Sequence, residues 1–192
     1  MKRYPVTISG RSYTPEIKKN LKRKGLSYDG IEYHGLVSKS RLKKIHSYAD
    51  EQGLIFRIDN EMGRRRADYR RRFFSSHTPD IGSLYICVYC GKWMSRENTT
   101  VDHLYPVGRV ARDLSLQKKL SKKGIQNIND PKNLVPSCRS CNNRKKDSMG
   151  LWILKGHLGQ CKWLWFLRYL LRSAVIALAV YGVTMLIITN TF

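Results

Sequence analysis

The sequence predicts an α+β protein in three parts. These are a basic, mostly helical region over 1–80, a small cysteine-containing unit over 81–150, and an apolar C-terminal segment over 151–192. Three observations lead to this division: clustered Lys and Arg in the first part, two Cys-x-x-Cys pairs in the second, and a change to Trp, Leu, Val, Ile and Ala after Gly150. A chain of 192 residues has room for one ordinary domain with extensions.

The charge of the chain restricts its partners. Lys and Arg number 36 against 14 Asp and Glu, a net charge of +22. Residues 151–192 hold four of the basic residues and none of the acidic ones, so the excess belongs to the polar part of the chain. An excess of this size predicts a polyanionic partner, either nucleic acid or an anionic membrane surface.

The N-terminal region carries two helical patterns. In residues 38–52, Leu42, Ile45 and Ala49 repeat at helical spacing, and Gly53 suits the helix end. The stretch "GRRRADYRRRFF" over 63–74 is predicted to be a basic helix. We expect its Arg64, Arg65 and Arg66 to contact DNA phosphates, the alternative being a run of solvated charges.

The cysteines predict a metal site. Cys87 and Cys90 form one pair and Cys138 and Cys141 another, and two such pairs complete a tetrahedral Cys₄ zinc site, a closed set whose role is structural. The alternative is a redox motif or unrelated thiols. No secretory signal is visible, and in the cytosolic setting that this indicates, paired cysteines are more often metal ligands than disulfides. Cys161 lies outside the pairs.

Short motifs follow in order between and after these pairs. The chain reads "CVYC", then "VDHLYP" with Asp102 and His103, then "NLVPSC" with Asn133, then "CRSCNNRK" with Asn142. In this order the motifs resemble those of the HNH endonuclease family, whose core is the ββα-metal motif. The resemblance covers about residues 84–150. It departs from the family pattern in the length of the segment 104–132, which includes a predicted basic helix that ends at Gly124.

The resemblance implies hydrolysis of DNA phosphodiester bonds. It makes His103 the general base, with Asn133 steadying the loop and the imidazole. Asp102 and Asn142 hold a catalytic Mg²⁺ or Mn²⁺ ion. It places further cations against the DNA: Arg139, Arg144, Lys145 and Lys146. The chemistry agrees with these roles, since cleavage needs a base for water and positive charge on the transition state. A non-catalytic zinc-ribbon DNA-binding module, possibly membrane-tethered, is the alternative, and double-strand cutting would favour a homodimer.

The C-terminal segment predicts a membrane anchor. No charge occurs from Ser173 to Thr189, 17 residues or about 26 Å of helix. Extension back to Trp163 reaches the ~30 Å of a hydrocarbon core if Arg168 and Arg172 snorkel. The basic residues lie on the N-terminal side, which keeps the nuclease-like part in the cytoplasm. A buried core helix and a helix lying flat on the membrane are the alternatives.

Overall fold

The computed structural model describes the backbone of residues 3–190 and the side chains of residues 3–188. The α+β class is confirmed, with 49% of the chain in helices and 19% in strands. The chain forms two compact units. The sheet unit comprises Met1–His77, His103–Val135 and Lys146–Met149. The cysteine unit comprises Thr78–Asp102, Pro136–Lys145 and Gly150–Phe192. Both units are therefore built from separate stretches of chain.

The sheet unit begins with six elements around a four-stranded sheet. They are β1 (Arg3–Ser9), α1 (Pro15–Arg23), β2 (Ser27–Tyr28), β3 (Tyr33–Ser38), α2 (Lys39–Glu51) and β4 (Ile55–Ile58). The sheet order is β2-β3-β1-β4, and all neighbouring strands are antiparallel. This succession of elements is the split β-α-β arrangement, also called ferredoxin-like.

One face of this sheet is covered by the two helices. Val6 and Ile8 alternate along β1 onto the covered face, because side chains two apart in a strand point the same way. They share a core with Leu21 of α1 and Ile45 of α2. Pro15 at the first position of α1 and the Thr14 hydroxyl, which accepts from the Ile17 N–H at 3.3 Å, define the start of that helix.

The strands correct the prediction of a mostly helical N-terminal region. The helix predicted over 38–52 is present as α2, and its Leu42, Ile45 and Ala49 are buried as expected. The basic stretch differs: helix α3 is only Tyr69–Ser76, and Arg64–Arg66 precede it. The strands were not predicted because β1 contains Pro5, an uncommon strand residue, and the apolar alternation of β1 covers only three positions.

The remaining elements of the chain are short except for the last. The long segment after His103 holds α4 (Val107–Arg112), α5 (Leu114–Lys122) and a 3₁₀ turn (Pro131–Asn133). The others are β5 (Tyr85–Ile86), β6 (Trp93–Met94), β7 (Thr99–His103), β8 (Leu134–Cys138), α6 (Arg139–Lys145), α7 (Leu151–Gly159) and α8 (Lys162–Asn190). Strand β5 pairs with β6, and β7 pairs with β8. The chain passes between the two units along β7 and β8.

Two glycines let α7 and α8 approach the first cysteine pair within the cysteine unit. A Cβ atom on Gly159 would lie 1.8 Å from the Val88 carbonyl oxygen, so only glycine permits this contact. Gly91 has φ +81°, and a Cβ atom there would lie 2.5 Å from the Trp165 ring. Glycine is thus required at position 159 for close approach, and at position 91 both for close approach and for the positive φ.

Helix α8 is long and apolar enough to cross a membrane. Its span Lys162–Ile188 has a mean hydropathy of 2.1 in its most apolar window. Within the part of the chain that the structure describes, none of that window is buried. A core helix would be covered by the rest of the protein, so this exposure favours the membrane-spanning interpretation of α8 over a core helix.

Candidate functional site

The four paired cysteines come together in the cysteine unit. Their sulfur atoms lie within 4.8 Å of one another, and Cys90 Sγ is 3.9 Å from Cys138 Sγ. Tetrahedral Zn–S bonds of about 2.3 Å place sulfur atoms about 3.8 Å apart, so these spacings fit such an ion. Cys87, Cys138 and Cys141 are buried, and Cys90 is half-buried. The cluster can therefore hold a metal ion such as zinc.

Local backbone geometry forms the cluster. The Gly91 N–H donates to the Cys87 carbonyl at 2.8 Å, which closes a tight turn around the first pair. The Val88 N–H donates to the Pro136 carbonyl at 3.1 Å and so brings the turn to β8, which ends at Cys138. Cys141 lies near the start of α6, and its N–H donates to Cys138 Sγ at 3.4 Å. Turn and helix start together present four thiols to one point.

The surroundings of Cys87 and Cys141 oppose the ionisation of these two thiols. Burial raises the pKa of Cys87, and burial with hydrogen bonding to Cys138 raises the pKa of Cys141 to about 11. At Cys138 burial also acts to raise the pKa, but hydrogen bonds, first that from the Cys141 N–H, lower it overall. Metal binding by such thiols must displace protons, so acid weakens the binding.

A buried carboxylate lies in the same unit. Asp102 Oδ2 accepts a hydrogen bond of 2.6 Å from the Tyr89 hydroxyl and lies 3.0 Å from Lys145 Nζ. The Lys145 side chain is 0% exposed and that of Asp102 is 9% exposed. Burial and the negative charge of Asp102 raise the pKa of Tyr89, which keeps its hydroxyl protonated as a donor. The three side chains form a charge-assisted group that orients Asp102.

This geometry gives Lys145 a different role from the one expected for it. We expected Lys145 to contact DNA, but its ammonium group is enclosed and paired with Asp102. Asn142, the other residue expected to hold the catalytic ion, is half-buried on α6 in the same unit. Asp102 and Asn142 both offer the oxygen atoms that a hard divalent cation prefers.

His103 lies in the sheet unit and is 6% exposed. Its imidazole lies beside the ring of Tyr69, with centroids 4.8 Å apart and planes tilted by 39°. Tyr69 is the first residue of α3, so Arg64–Arg66 come shortly before the residue that contacts His103. The aromatic contact restricts the orientation of the imidazole.

Asn133 fixes the backbone that follows His103. The side chain is 0% exposed, and its Oδ1 accepts from the Tyr105 N–H at 2.8 Å. Its Nδ2 donates to the carbonyls of Ile128 at 2.8 Å and Tyr105 at 3.3 Å, and its own carbonyl accepts from the Leu104 N–H at 2.7 Å. These contacts are those of a residue that holds the loop.

The cations expected to contact DNA are exposed, apart from Lys145. Arg64 and Arg66 each pair with a nearby carboxylate, at 3.3 and 3.1 Å, and Arg65 donates to the Tyr69 hydroxyl at 2.7 Å. Among the others, Arg139 and Lys146 face solvent. Arg144 is also exposed and donates to Cys141 Sγ at 3.7 Å. Arg144 therefore places positive charge beside the cysteine cluster as well as at the surface.

Sequence reasoning missed Tyr89, which lies between Cys87 and Cys90 and carries no local signal of its partner Asp102. It did single out Tyr69, as an anchor of the basic helix, but not the contact of Tyr69 with His103. Comparisons with models of protein families, with curated proteins and with solved structures find no match for this chain.

Proposed function

We propose that this protein is a metal-dependent endonuclease of the HNH type that hydrolyses DNA phosphodiester bonds. The observation that supports this most is the pair of consecutive buried residues, Asp102 and His103, at the end of β7. Asp102 is held by Tyr89 and Lys145, and His103 lies beside the ring of Tyr69. Buried polar residues of this kind are costly to the fold and are typical of functional sites.

In the proposed reaction His103 accepts a proton from the attacking water. The water oxygen bonds to phosphorus, the bond from phosphorus to the 3′ oxygen breaks, and the 3′ oxygen takes a proton from solvent. Asp102 and Asn142 would hold Mg²⁺ or Mn²⁺, which supplies positive charge for the transition state. The four cysteines would hold zinc as a structural ion, because a closed Cys₄ set has no open position for substrate.

The positive charge supports DNA as the substrate. Exposed Arg64, Arg65 and Arg66 in the sheet unit and Arg139 in the cysteine unit supply cations for phosphate oxygens. Helix α8 supports a membrane location, with the rest of the chain on the cytoplasmic side. Its 29 residues extend about 43 Å, enough for the ~30 Å hydrocarbon core.

One contact favours the alternative, a non-catalytic DNA-binding module stabilised by zinc. Lys145 occupies one oxygen of Asp102, an atom that a metal ion would otherwise use. In the catalytic proposal the ion is bound through the second carboxylate oxygen, and Lys145 orients the first. In the alternative, the ion pair simply stabilises the fold.

Plasmid cleavage separates the two functions. Full-length protein in detergent, with its zinc content measured, is incubated with supercoiled plasmid and Mg²⁺. We expect wild type and His46→Ala, a change at a half-exposed histidine on α2, to nick or linearise the plasmid. We expect His103→Ala to bind the plasmid and retain zinc but lose cleavage by about 10²-fold or more. Equal cleavage by His103→Ala would exclude His103 as the base, and zinc-loaded wild type that binds without cutting would establish the binding module.

A further inference from the structure

The first two turns of α8 are attached to the first cysteine pair rather than projecting freely. Trp165 is 5% exposed, and its indole N–H donates to the Gly159 carbonyl at 2.7 Å. The Tyr169 hydroxyl donates to the Gly91 carbonyl, directly after Cys90. These contacts fix the start of α8 within the cysteine unit. Trp165 and Tyr169 thus serve the packing of this helix, although their type is also common at membrane interfaces.

Beside this attachment lies an apolar groove of about 570 Å³. Its exposed apolar walls are Ile81 and Trp93 on one side and Trp163 and Phe166 on the other. These four side chains are 48%, 47%, 71% and 57% exposed, respectively. Aromatic surface of this extent is uncommon facing water and marks a binding surface. The volume is within the range of small-ligand pockets, about 300–1,000 Å³.

Charge marks one end of the groove. Asp80 accepts from the Ile86 N–H at 2.7 Å and lies 3.5 Å from Lys162 Nζ. The Lys162 side chain is 63% exposed, whereas that of Asp80 is only 11% exposed. The ammonium group therefore remains accessible to an anion. The described cysteine unit also has few acidic residues, and Asp80 and Asp102 are both paired with lysines. The groove end is therefore suited to a negatively charged group.

The position of the groove along α8 identifies its occupant. About 20 helical residues cross the hydrocarbon core, and counting back from Asn190, the end of α8, places the start of that segment near residue 171. If α8 spans a membrane in this way, Trp163, Phe166 and Tyr169 come just before the spanning segment, at the level of the headgroup layer where Trp and Tyr are enriched. A groove at this level would face phospholipid.

We propose that this groove binds one anionic phospholipid, with an acyl chain along Trp93 and Phe166 and the phosphate beside Lys162. The proposal rests on α8 being a membrane helix and is independent of nuclease activity. A bound lipid would cover the exposed aromatic walls and hold the cysteine unit against the membrane surface. A second copy of this chain is the competing occupant, and the experiments below distinguish it.

Tryptophan quenching tests contact with lipid. Full-length protein is reconstituted in vesicles of phosphatidylcholine and phosphatidylglycerol whose acyl chains carry bromine, which quenches tryptophan on contact. We expect the protein to float with the vesicles and Trp93→Phe to remove part of the quenched emission. Trp152→Phe is the matched control, because Trp152 packs against Tyr89 away from the groove lining, and the quenched emission should persist.

The outcomes of this experiment are distinct. Loss of flotation would show that α8 is not a membrane anchor and would overturn the lipid site with it. Flotation with quenched emission unchanged by Trp93→Phe would overturn the lipid site alone. Neither result bears on plasmid cleavage, which is measured separately.

A second variant tests binding without relying on fluorescence. Ile81→Glu places a negative charge in the groove, and Ile31→Glu makes the same change at an exposed isoleucine of the sheet unit. Native mass spectrometry counts the phosphatidylglycerol molecules retained by the detergent-solubilised chain. We expect one bound phosphatidylglycerol for wild type and for Ile31→Glu, and none for Ile81→Glu. We expect Lys162→Gln to reduce the preference for phosphatidylglycerol over phosphatidylcholine by about fivefold. Equal retention by both glutamate variants, or a lipid-free dimer of wild type, would contradict the proposal.

Discussion

At the scale of single residues, the most informative feature is the buried group of Tyr89, Asp102 and Lys145. Breaking a buried ion pair leaves an uncompensated charge, whereas a solvated pair contributes little. The Lys145–Asp102 pair is of the first kind, because the lysine side chain is 0% exposed. Its loss should therefore affect stability strongly, whatever the catalytic role of Asp102.

We predict that Lys145→Met destabilises the cysteine unit by about 3–5 kcal/mol, because Asp102 remains buried without its cation. Lys146→Met is the matched control, since Lys146 is the adjacent lysine and faces solvent. It should change the free energy of unfolding by less than about 0.5 kcal/mol. The measurement is denaturant unfolding of the full chain followed by tryptophan emission. Similar effects of the two substitutions would show that the ion pair does not stabilise the fold.

At the scale of elements, the strands that lie wholly within the described cysteine unit, β5 and β6, are short, so we expect the unit to depend on its cluster. Strands β5 and β6 are two residues each, and a hairpin of this size is not stable by itself in water. A metal ion held by the four cysteines would join the first pair to the start of α6 and would stabilise this unit.

We predict that removing one thiol abolishes metal binding and loosens the attached helices. Cys87→Ser should lower the zinc-to-protein ratio from one to near zero, and the emission of buried Trp165 should shift toward that of exposed tryptophan. Cys161→Ser is the matched control, because Cys161 is exposed and outside the cluster. A strong chelator added to wild type should produce the same shift in emission as Cys87→Ser. Full zinc content in Cys87→Ser would contradict the proposed ligand set.

Elements with a repeating local signal could be predicted from the sequence. Leu42, Ile45 and Ala49 identify α2 by helical spacing, and the charge-free run identifies α8 by composition. The cysteine cluster could be predicted because the two cysteines of a Cys-x-x-Cys pair lie on one turn, from which both thiols can reach the same metal ion.

The rest depends on contacts between distant residues. The sheet was missed because strand pairs such as Val6 with Gly35 join positions far apart, and β2 has only two residues. The burial of Lys145 was missed for the same reason: its partner lies 43 positions away on β7, and a lysine beside exposed Arg144 gives no local sign of burial.

At the scale of the whole molecule, the net charge of +22 and the apolar helix α8 point to two different partners. The described sheet unit supplies Arg64–Arg66, and the described cysteine unit supplies α8 with the apolar groove beside it. On the proposed functions, the chain binds DNA near a membrane surface. Electrostatic binding of this kind releases counterions and weakens as salt rises.

We predict that the arginine run Arg64–Arg66 contributes specifically to the salt dependence of DNA binding. Replacing Arg64, Arg65 and Arg66 by Gln should reduce the slope of log affinity against log salt by about 2–3, or about 0.9 for each phosphate that is no longer neutralised. The control replaces three exposed lysines of α1, Lys18, Lys19 and Lys22, with the same change in net charge. Fluorescence anisotropy with a DNA duplex measures the slope. Equal reductions in both variants would indicate diffuse attraction rather than direct binding of phosphates by the run.

On the proposed function, Asp102 holds an ion that cleavage requires. The most direct measurement is the rate of plasmid nicking by the zinc-loaded full chain as Mg²⁺ is titrated, for wild type and Asp102→Asn. We predict that wild-type nicking rises to saturation with Mg²⁺, and that Asp102→Asn needs at least about tenfold more Mg²⁺ for half-maximal rate. Nicking that is independent of Mg²⁺, or identical Mg²⁺ dependence of the two proteins, would contradict the account.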